Sequence, residues 1–325
     1  MMTPLRFEQL YQDEWTELEG LLDQAGGRRR GTPASTSGAR LAALYRRACE
    51  QLALARARSY PAYIVDRLER LTTRAHQLIY RRRELGLTQL KDLIARDLPR
   101  AVRANLPYVT TATAVLIVPT LVLGVLVYWQ PELILSVVDS DTASSFEEMY
   151  SPTAASIGRV REASTDWMMF GFYIRNNISV AFQCYAGGLF AGLGTLFFLA
   201  YNGAFGGAMA GFLTARGLSS TFYSFVATHA AFEITAIVIA GAAGLRMGHA
   251  LLAPGRFTRL DSLVRATRES VVLLYGVTAM LCIAAAIEAF WSSGNWLPPS
   301  VKYGVAAVCW AAVLGYFVFQ GRRAD

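Results

Sequence analysis

Charged residues are scarce in this sequence. They make up 17% of the 325 residues, against roughly 25% in an ordinary soluble domain, whereas 54% of the residues are hydrophobic and the mean hydropathy is +0.31. This composition excludes intrinsically disordered, collagen-like and disulfide-stapled chains. A membrane protein is the expectation that remains.

Cysteine pairs and catalytic motifs are also missing. The four cysteines lie far apart and form no CxxC pair and no cluster with histidine: Cys49, Cys184, Cys282 and Cys309. This spacing favours neither a disulfide framework nor a zinc site. The chain also lacks the GxxxxGK[ST] loop of nucleotide-binding proteins and the HExxH, ExxH, GxSG and GxGD signatures of metalloenzymes and intramembrane proteases. We therefore expect a protein that is not an enzyme and that carries no cofactor and no metal.

The start of the chain does not read as a signal peptide. The first residues, MMTPLRFEQLYQDEW, have neither a basic start nor an apolar run. Residues 1–105 carry 19 Lys and Arg against 12 Asp and Glu, whereas residues 129–178 carry 3 against 7. Because basic loops stay on the cytoplasmic side of a membrane, this asymmetry predicts a cytoplasmic N-terminal region and an external segment around 129–178.

Three amphipathic stretches predict helices near the N-terminus. In each stretch, apolar residues recur on one side of a 3.6-residue repeat. The three stripes are Phe7, Leu10, Tyr11, Leu18 and Leu21; Leu41, Leu44, Tyr45, Ala48 and Leu52; and Ile64, Leu68, Leu71, Ala75 and Leu78. The pattern predicts a small helical bundle, with a Gly-, Ser- and Pro-rich mobile loop over residues 26–38.

A fourth amphipathic helix is expected over residues 88–105. Its apolar residues lie opposite Lys91, Arg96, Arg100 and Arg103, which is typical of a helix lying on anionic lipid headgroups. The arginine runs at 28–30 and 81–83 are explained by the same lipid surface and by membrane topology, so we expect no nucleic-acid partner. Residues 1–105 are therefore predicted to form a cytoplasmic helical region that ends in an interfacial helix.

Apolar stretches predict about six transmembrane helices within residues 106–325, and hence an all-α polytopic membrane protein. The first has no charge over a length that crosses a ~30 Å hydrocarbon core. The predicted spans are 106–128, 178–201, 204–217, 222–245, 271–291 and 302–320, with an external loop over 129–177. An even number of spans returns the C-terminus to the cytoplasm and keeps the basic segment 246–270 there. In this arrangement Asn202 marks the turn between the second and third spans.

Small residues recur every four positions in the central spans. The glycines concerned are Gly188 and Gly192; Gly203, Gly207 and Gly211; and Gly244 and Gly248. This spacing is typical of helices whose backbones pack closely. We therefore expect the second to fourth spans to form a tight unit, and a homodimer or larger oligomer to form through the same faces. A glycine-lined pathway is the alternative interpretation.

A few polar residues fall within or beside the predicted spans, where a central charge costs about 2.5–3.5 kcal/mol on insertion scales. His229 and Glu233 are spaced i, i+4 and share one face of the fourth span. We expect them to form one cluster with the other polar residues near the external side: Arg175, Asn176, Asn177, Gln183 and Glu288. Three interpretations stay open: polar groups that satisfy one another and fix helix register, a proton or ion relay, or a metal site, for which the donors are few.

Several motifs together resemble one family. They are YIRNNISVAF (173–182), YNGAFGGAMAG (201–211), FVATHAAFEITAIVIAGAAGL (225–245), LLAPGR (251–256), IEAFWS (287–292) and the EW pair at 14–15. The sequence is similar to the stage II sporulation protein M family, also called SpoIIM or DUF95, over most of its length. This resemblance implies a multi-pass protein of the bacterial inner membrane. The namesake of the family works with a peptidoglycan-degrading complex during engulfment and has no known enzymatic activity.

Two functional classes follow from these observations. The first is a non-enzymatic membrane scaffold or subunit of an envelope-associated complex, which the charge-patterned N-terminal helices favour. Its expected partners are the lipid bilayer, envelope-remodelling proteins and a MoxR-like ATPase, since similar sequences in non-sporulating bacteria are often encoded beside such ATPases and RDD-type membrane proteins. The second is a proton- or ion-coupled transporter or channel that uses His229 and Glu233, which the short helix near a midplane carboxylate favours.

Overall fold

The computed structural model describes residues 2–27, 35–79, 87–154, 166–294 and 296–322. Over these ranges the chain consists of helices and their connections, with no strand. The predicted all-α, polytopic architecture is confirmed. Contacts divide the chain into two units, Met1–Gly86 and Leu87–Asp325.

The first unit contains three helices that pack around one hydrophobic core: α1 (Pro4–Gly27), α2 (Ser35–Ala57) and α3 (Ala62–Ile79). Trp15 lies in this core, and its Nε1 donates a hydrogen bond of 2.7 Å to Oε1 of Gln51. Most residues of the predicted stripes are buried, whereas Leu10 is 58% exposed. The buried set is Phe7, Trp15, Leu18, Leu22, Leu44, Ala48, Ala55, Tyr60, Ile64, Leu68, Leu71 and Ala75.

The connection between α1 and α2 is shorter than the sequence suggested. A mobile loop was expected over residues 26–38, but α1 continues through Gly27 and α2 begins at Ser35. Gly38 lies inside α2 because an interior glycine costs a helix only about 1 kcal/mol, which the packing of a long helix outweighs. Residues 28–34, with the arginine run 28–30, and the second run at 81–83 lie outside the described residues.

The second unit begins with the helix expected at the membrane interface. It comprises α4 (Leu87–Asp92), a π turn (Leu93–Asp97) and α5 (Leu98–Ala104). Leu98 and Val102 are buried in the second unit, and Leu98 contacts Gly276. These contacts group residues 87–104 with the membrane helices, whereas the sequence pattern grouped them with the N-terminal region.

Arginines of α5 cap the end of the last helix. Nε of Arg100 donates to the carbonyl oxygen of Gly321 at 3.0 Å, and Nη1 of Arg103 donates to that of Phe317 at 2.8 Å. The final carbonyl groups of a helix lack partners within the helix, and cations are favourable beside them. The basic face of this segment therefore has a partner in the protein as well as the expected lipid surface.

Within the part of the chain that the structure describes, five helices are long and apolar enough to cross a membrane. They are α6 (Leu106–Trp129), α9 (Leu193–Ala215), α10 (Ser219–Leu252), α11 (Arg259–Ile287) with the π turn Glu288–Ser292, and α12 (Pro299–Phe319). In the most apolar 18-residue stretch of each helix, 67% of the residues of α10 are buried inside the protein, against 11% for α6 and 17% for α12. Helix α10 is therefore central, and α6 and α12 present most of their apolar surface to the outside. The predicted spans 106–128, 222–245, 271–291 and 302–320 each fall on one of these helices.

The predicted spans 178–201 and 204–217 are wrong in their boundaries. Helix α9 runs without interruption through Asn202, so the predicted turn there is also wrong. The Asn202 side chain stays within the helix because its Nδ2 donates to the carbonyl oxygen of Phe198 at 2.7 Å. The chain instead breaks between α8 (Asp166–Ala186) and α9, through a 3₁₀ turn (Gly187–Leu189) and Gly192 at φ +86°.

Glycine contacts show that α6 and α9 run parallel. A Cβ atom placed on each of three glycines of α9 would overlap a carbonyl oxygen of α6, in the pairs Gly203 with Leu116, Gly207 with Thr120, and Gly211 with Gly124. The pairs advance in the same direction along both helices. Two parallel helices that cross the same layer need a return crossing between them, and α8, with 21 residues, is the long helix described there. We infer that α8 makes this crossing, although it is more polar than the five apolar helices.

The other glycines hold the break between α8 and α9 against α10. Gly188 contacts Gly244, and Gly192 contacts Gly248. A side chain on Gly188 would overlap the backbone of Gly244, and one on Gly248 would overlap the backbone of Gly192. The sequence predicted close packing among the second to fourth spans, and the Gly203, Gly207 and Gly211 ridge instead faces α6. Because these faces are covered within one chain, an oligomer has to use other surfaces.

The segment after α6 folds back onto the helices. It contains a 3₁₀ turn (Pro131–Ser136) and α7 (Ser140–Met149). Ile134 and Tyr150 are buried against α9 and α10, and Oγ1 of Thr221 donates to the carbonyl oxygen of Tyr150 at 2.6 Å. Part of the predicted external loop 129–177 is therefore packed protein, and its last dozen residues belong to α8.

The Gly207 contact predicts a sharp difference between neighbouring glycines. Gly207→Ala should lower the free energy of unfolding by about 1–3 kcal/mol, because the new methyl group overlaps the Thr120 carbonyl. Gly206→Ala is the matched control, since a Cβ atom at Gly206 meets nothing within 4 Å. Thermal unfolding in detergent, followed by circular dichroism, measures both. Equal midpoints for the two variants would contradict the parallel α6–α9 contact.

Candidate functional site

Three ionisable side chains meet inside the helical bundle. His229 and Glu233 lie one turn apart on α10, with 3.9 Å between His229 Nε2 and Glu233 Oε2. Glu288 comes from the π turn that follows α11. One donor atom from each of the three lies within 4.8 Å of the others. We call these residues, with their neighbours Ser292 and Asn177, the polar cluster.

Hydrogen bonds and aromatic rings hold the imidazole in place. His229 is 4% exposed, and its Nδ1 lies 3.2 Å from Oγ of Ser292. The Phe225 ring and the imidazole pack at 75° to each other in a T-shaped pair, with 5.3 Å between the ring centroids. Tyr150 packs in turn on Phe225. Because one ring nitrogen is engaged by Ser292, the other is directed towards Glu233.

A buried lysine lies next to the polar cluster. Lys302, near the start of α12, is 2% exposed and donates from Nζ to the carbonyl oxygen of Ser292 at 2.7 Å. Thr228 donates from Oγ1 to the carbonyl oxygen of Lys302 at 3.3 Å. The π turn is therefore connected to α10 through His229 and to α12 through Lys302. Such π turns are frequent at functional sites.

The structure brings together some of the predicted cluster and separates the rest. His229, Glu233 and Glu288 meet, and Asn177 of α8 is 2% exposed beside Glu288. The other predicted members, Arg175, Asn176 and Gln183, are exposed on the outer surface of α8. The reason is helical phase, because steps of 100° per residue place these three away from the face that carries Asn177. Their assignment to the buried cluster was wrong for Arg175 and Gln183, whereas the exposed Asn176 contacts the cluster through Asn177.

Sequence reasoning missed three neighbours of the cluster. Ser292 follows Glu288 by four residues, which was a usable signal for a shared helix face. Lys302 carried no signal of burial, because it lies at the edge of an apolar run, where a lysine is ordinarily a lipid-facing anchor. Tyr150 had no signal in the sequence, since a fold of the external segment places it there. Burial raises the pKa of the Tyr150 hydroxyl, and the nearby Glu288 and Glu233 carboxylates raise it further.

One carboxylate oxygen of the cluster is buried without a partner. Among the described residues, Oε2 of Glu288 has no hydrogen-bond partner, although the Asn177 side chain acts on the same carboxyl. Oδ1 of Asn177 accepts from Nδ2 of Asn176 at 3.1 Å. An unpartnered buried polar atom costs about 1–3 kcal/mol. The cluster therefore keeps unused acceptor capacity on one of its two carboxylates.

A second polar group lies at the opposite end of α10. Arg246 forms ion pairs with Glu269 and donates to Oδ1 of Asn105 at 2.9 Å, and Tyr108 contacts Nδ1 of His249. A surface cavity of about 220 Å³ lies between these residues. Glu269 pairs with both Arg246 and Arg265 and so balances part of their positive charge. We therefore explain this polar group as the contact that fixes α10 to α6 and α11.

Comparison with known proteins agrees with this picture. The apolar helices, their glycine contacts and the buried polar cluster define a polytopic α-helical membrane protein. More particularly, the chain belongs to the stage II sporulation protein M family, whose model matches residues 113–293. The match includes every residue of the polar cluster and ends just before α12, which carries Lys302.

The N-terminal unit matches a different model. A domain of unknown function, DUF8413, matches residues 5–81, which cover nearly all of α1 to α3. No curated protein and no solved structure matches the chain. The family comparison therefore assigns the membrane unit and leaves the function of both units to be argued from their residues.

The Ser292 contact predicts a loss of stability on removal of one hydroxyl group. Ser292→Ala should lower the free energy of unfolding by about 1–3 kcal/mol, because the buried imidazole of His229 loses its hydrogen bond with the Ser292 hydroxyl group. Ser270→Ala is the control: this serine is also buried on α11, but its hydroxyl group donates to Ala266 of its own helix. Thermal unfolding in detergent compares them. A Ser292→Ala midpoint no lower than that of Ser270→Ala would contradict a role for Ser292 in holding His229.

Proposed function

We propose that this protein is a non-enzymatic scaffold or subunit of a complex at the bacterial inner membrane. The observation that carries the proposal is the separate N-terminal unit. This unit has a hydrophobic core of its own and a strongly charged surface. It matches one domain model, whereas the membrane unit that follows matches the model of another family. A folded, charged module joined to membrane helices is suited to holding a partner protein at the membrane.

Ion pairs support the interpretation of α1 to α3 as a rigid module. Arg47 pairs with Glu14 at 2.5 Å and Arg40 with Glu17 at 2.6 Å, so α2 is joined to α1 on its surface. Arg40 holds the pKa of the exposed Glu17 carboxyl below its usual range through this hydrogen bond. Such surface pairs each contribute little to stability. Together they fix the positions of the charged side chains that a partner would meet.

The orientation proposed for the chain places both termini in the cytoplasm. The parallel packing of α6 and α9 supports a return crossing by α8, and therefore an even number of crossings. The excess of Lys and Arg in residues 1–105 and 246–270 favours the cytoplasmic side for these segments. A MoxR-like ATPase, an envelope-remodelling protein and a second copy of the chain are the proposed protein partners, beside the lipid bilayer. A nucleic-acid partner and a cofactor form no part of this proposal.

A site-specific crosslinking experiment tests the scaffold. A photoreactive amino acid at Leu10, which is 58% exposed on the N-terminal unit, should give a discrete adduct heavier than the chain in cells of the source bacterium. The control carries the same photoreactive amino acid in place of Leu68, which is fully buried, and this variant should give no adduct. Purified protein is irradiated in parallel, since an adduct there at twice the chain mass reports self-association. No adduct from Leu10 in cells, and none from Leu5 at 65% exposure, would contradict the scaffold.

The polar cluster supports transport as the second candidate function. Carboxylates inside membrane helices mark proton and ion pathways in many transporters. Purified wild-type protein and Glu233→Gln are reconstituted into liposomes that contain a pH-sensitive dye, and proton flux is recorded under ion and voltage gradients. Transport predicts flux in the wild type and its loss in the variant at equal insertion. Silence of both proteins under a broad panel of ions contradicts transport and leaves the scaffold unaffected.

A further inference from the structure

The donor atoms of the polar cluster are spaced slightly wider than the ligands of a bound metal ion. Zn²⁺ binds imidazole nitrogen and carboxylate oxygen at about 2.0–2.2 Å, so the donors around one tetrahedral ion lie roughly 3.3 Å apart. Those of His229, Glu233 and Glu288 lie within 4.8 Å of one another. Rotamer adjustments that shift these atoms by about 1 Å would close the set on one ion. The donors come from two elements, so the ion would join α10 to the π turn after α11.

The surroundings of His229 match those of a metal ligand. A histidine that binds a metal through one ring nitrogen usually has the other nitrogen in a hydrogen bond, which fixes its tautomer and its orientation. Here Ser292 engages Nδ1 and leaves Nε2 on the side of Glu233. The 3.9 Å between Nε2 and Glu233 Oε2 is too long for a hydrogen bond. It suits two ligands that share one ion.

A second observation is independent of the donor spacing. Asn177 is 2% exposed and its side chain acts on the Glu288 carboxyl, while Oε2 of Glu288 is buried without a hydrogen-bond partner among the described residues. Two carboxylates that face each other in a bundle repel unless a proton or a cation lies between them. A divalent ion neutralises both carboxylates and uses the free oxygen of Glu288. Asn177 would then donate to the bound carboxylate, as residues around metal ligands commonly do.

We propose that His229, Glu233 and Glu288 bind one divalent transition-metal ion inside the helical bundle. The mixture of one imidazole and two carboxylates suits Zn²⁺ and neighbouring first-row ions. The site is distinct from the scaffold function, since it lies in the membrane unit, and it reverses the expectation of a metal-free protein. The ion ties the outermost turn of α11 to α10, next to the contact of Lys302 with the π turn.

Metal binding by the full chain tests the proposal. Protein purified in detergent without a polyhistidine tag is stripped with EDTA and titrated with Zn²⁺ against a fluorescent competitor, and with Co²⁺, whose visible absorption reports its ligands. The wild type should bind one equivalent of either ion. His229→Gln and Glu288→Gln should each weaken binding at least ~100-fold, because the loss of a residue that merely supports a ligand already costs about 10–100-fold. Ser292→Ala, which keeps all three donors, should weaken binding about 10–100-fold.

Matched controls separate this site from other donors. His249→Gln removes a histidine of the same helix at its far end, and Glu147→Gln removes a surface carboxylate that pairs with Arg216. Both should bind Zn²⁺ as the wild type does. Zn²⁺ should raise the thermal midpoint of the wild type and leave that of Glu288→Gln unchanged. Absence of a stoichiometric site in the wild type, or binding that survives in both ligand variants, would overturn the proposal and favour a shared proton between the carboxylates.

Discussion

The membrane unit depends on the direct backbone contact between α6 and α9. Carbonyl oxygens of α6 fill the space that side chains would occupy on Gly203, Gly207 and Gly211. Because the two helices are parallel, the chain has to return between them. We assign that return to α8, and the break at Gly187–Gly192 then reverses the chain in a few residues. That return places Asn177 on the face that meets Glu288. One ridge of glycines thus determines which polar residues can form the cluster.

The sequence predicted the helices better than it predicted their ends. An uncharged run identifies α6 almost to the residue, since a charge on either side marks the boundary of the apolar layer. Asn202 and Gly203 carry the same local signal for a turn as Gly187 and Gly188 do. The decision between them comes from distant contacts: Gly203 is needed against Leu116 and Gly188 against Gly244. The local sequence around each glycine therefore does not show which of the two sites breaks the helix.

The polar cluster likewise contains residues that could be predicted from the sequence and residues that could not. The pair His229 and Glu233 could be predicted from its spacing, and Glu288 from its depth within a span. The phase of α8 could not, so that Asn177 was grouped with exposed neighbours. Lys302 was hidden because a lysine at the edge of an apolar run is ordinarily a lipid-facing anchor. Its burial follows from the π turn, which offers a carbonyl oxygen to its ammonium group. The cluster consequently combines fixed helix positions with one irregular turn, an arrangement that serves either stable assembly or selective binding.

The capping of α12 by α5 joins a helix near the start of the membrane unit to the last helix described in it. Arg100 and Arg103 are synthesised long before the end of α12. During most of translation their carbonyl partners, on Gly321 and Phe317, are therefore absent. The contact forms after the final helix has been inserted, and it has the largest sequence separation of the hydrogen bonds described for α5. Closing such a long loop makes this contact a late step in the assembly of the membrane unit. The segment that precedes the membrane helices therefore gains its contacts in two stages, since Leu98 can pack on Gly276 of α11 before Arg100 and Arg103 meet the end of α12.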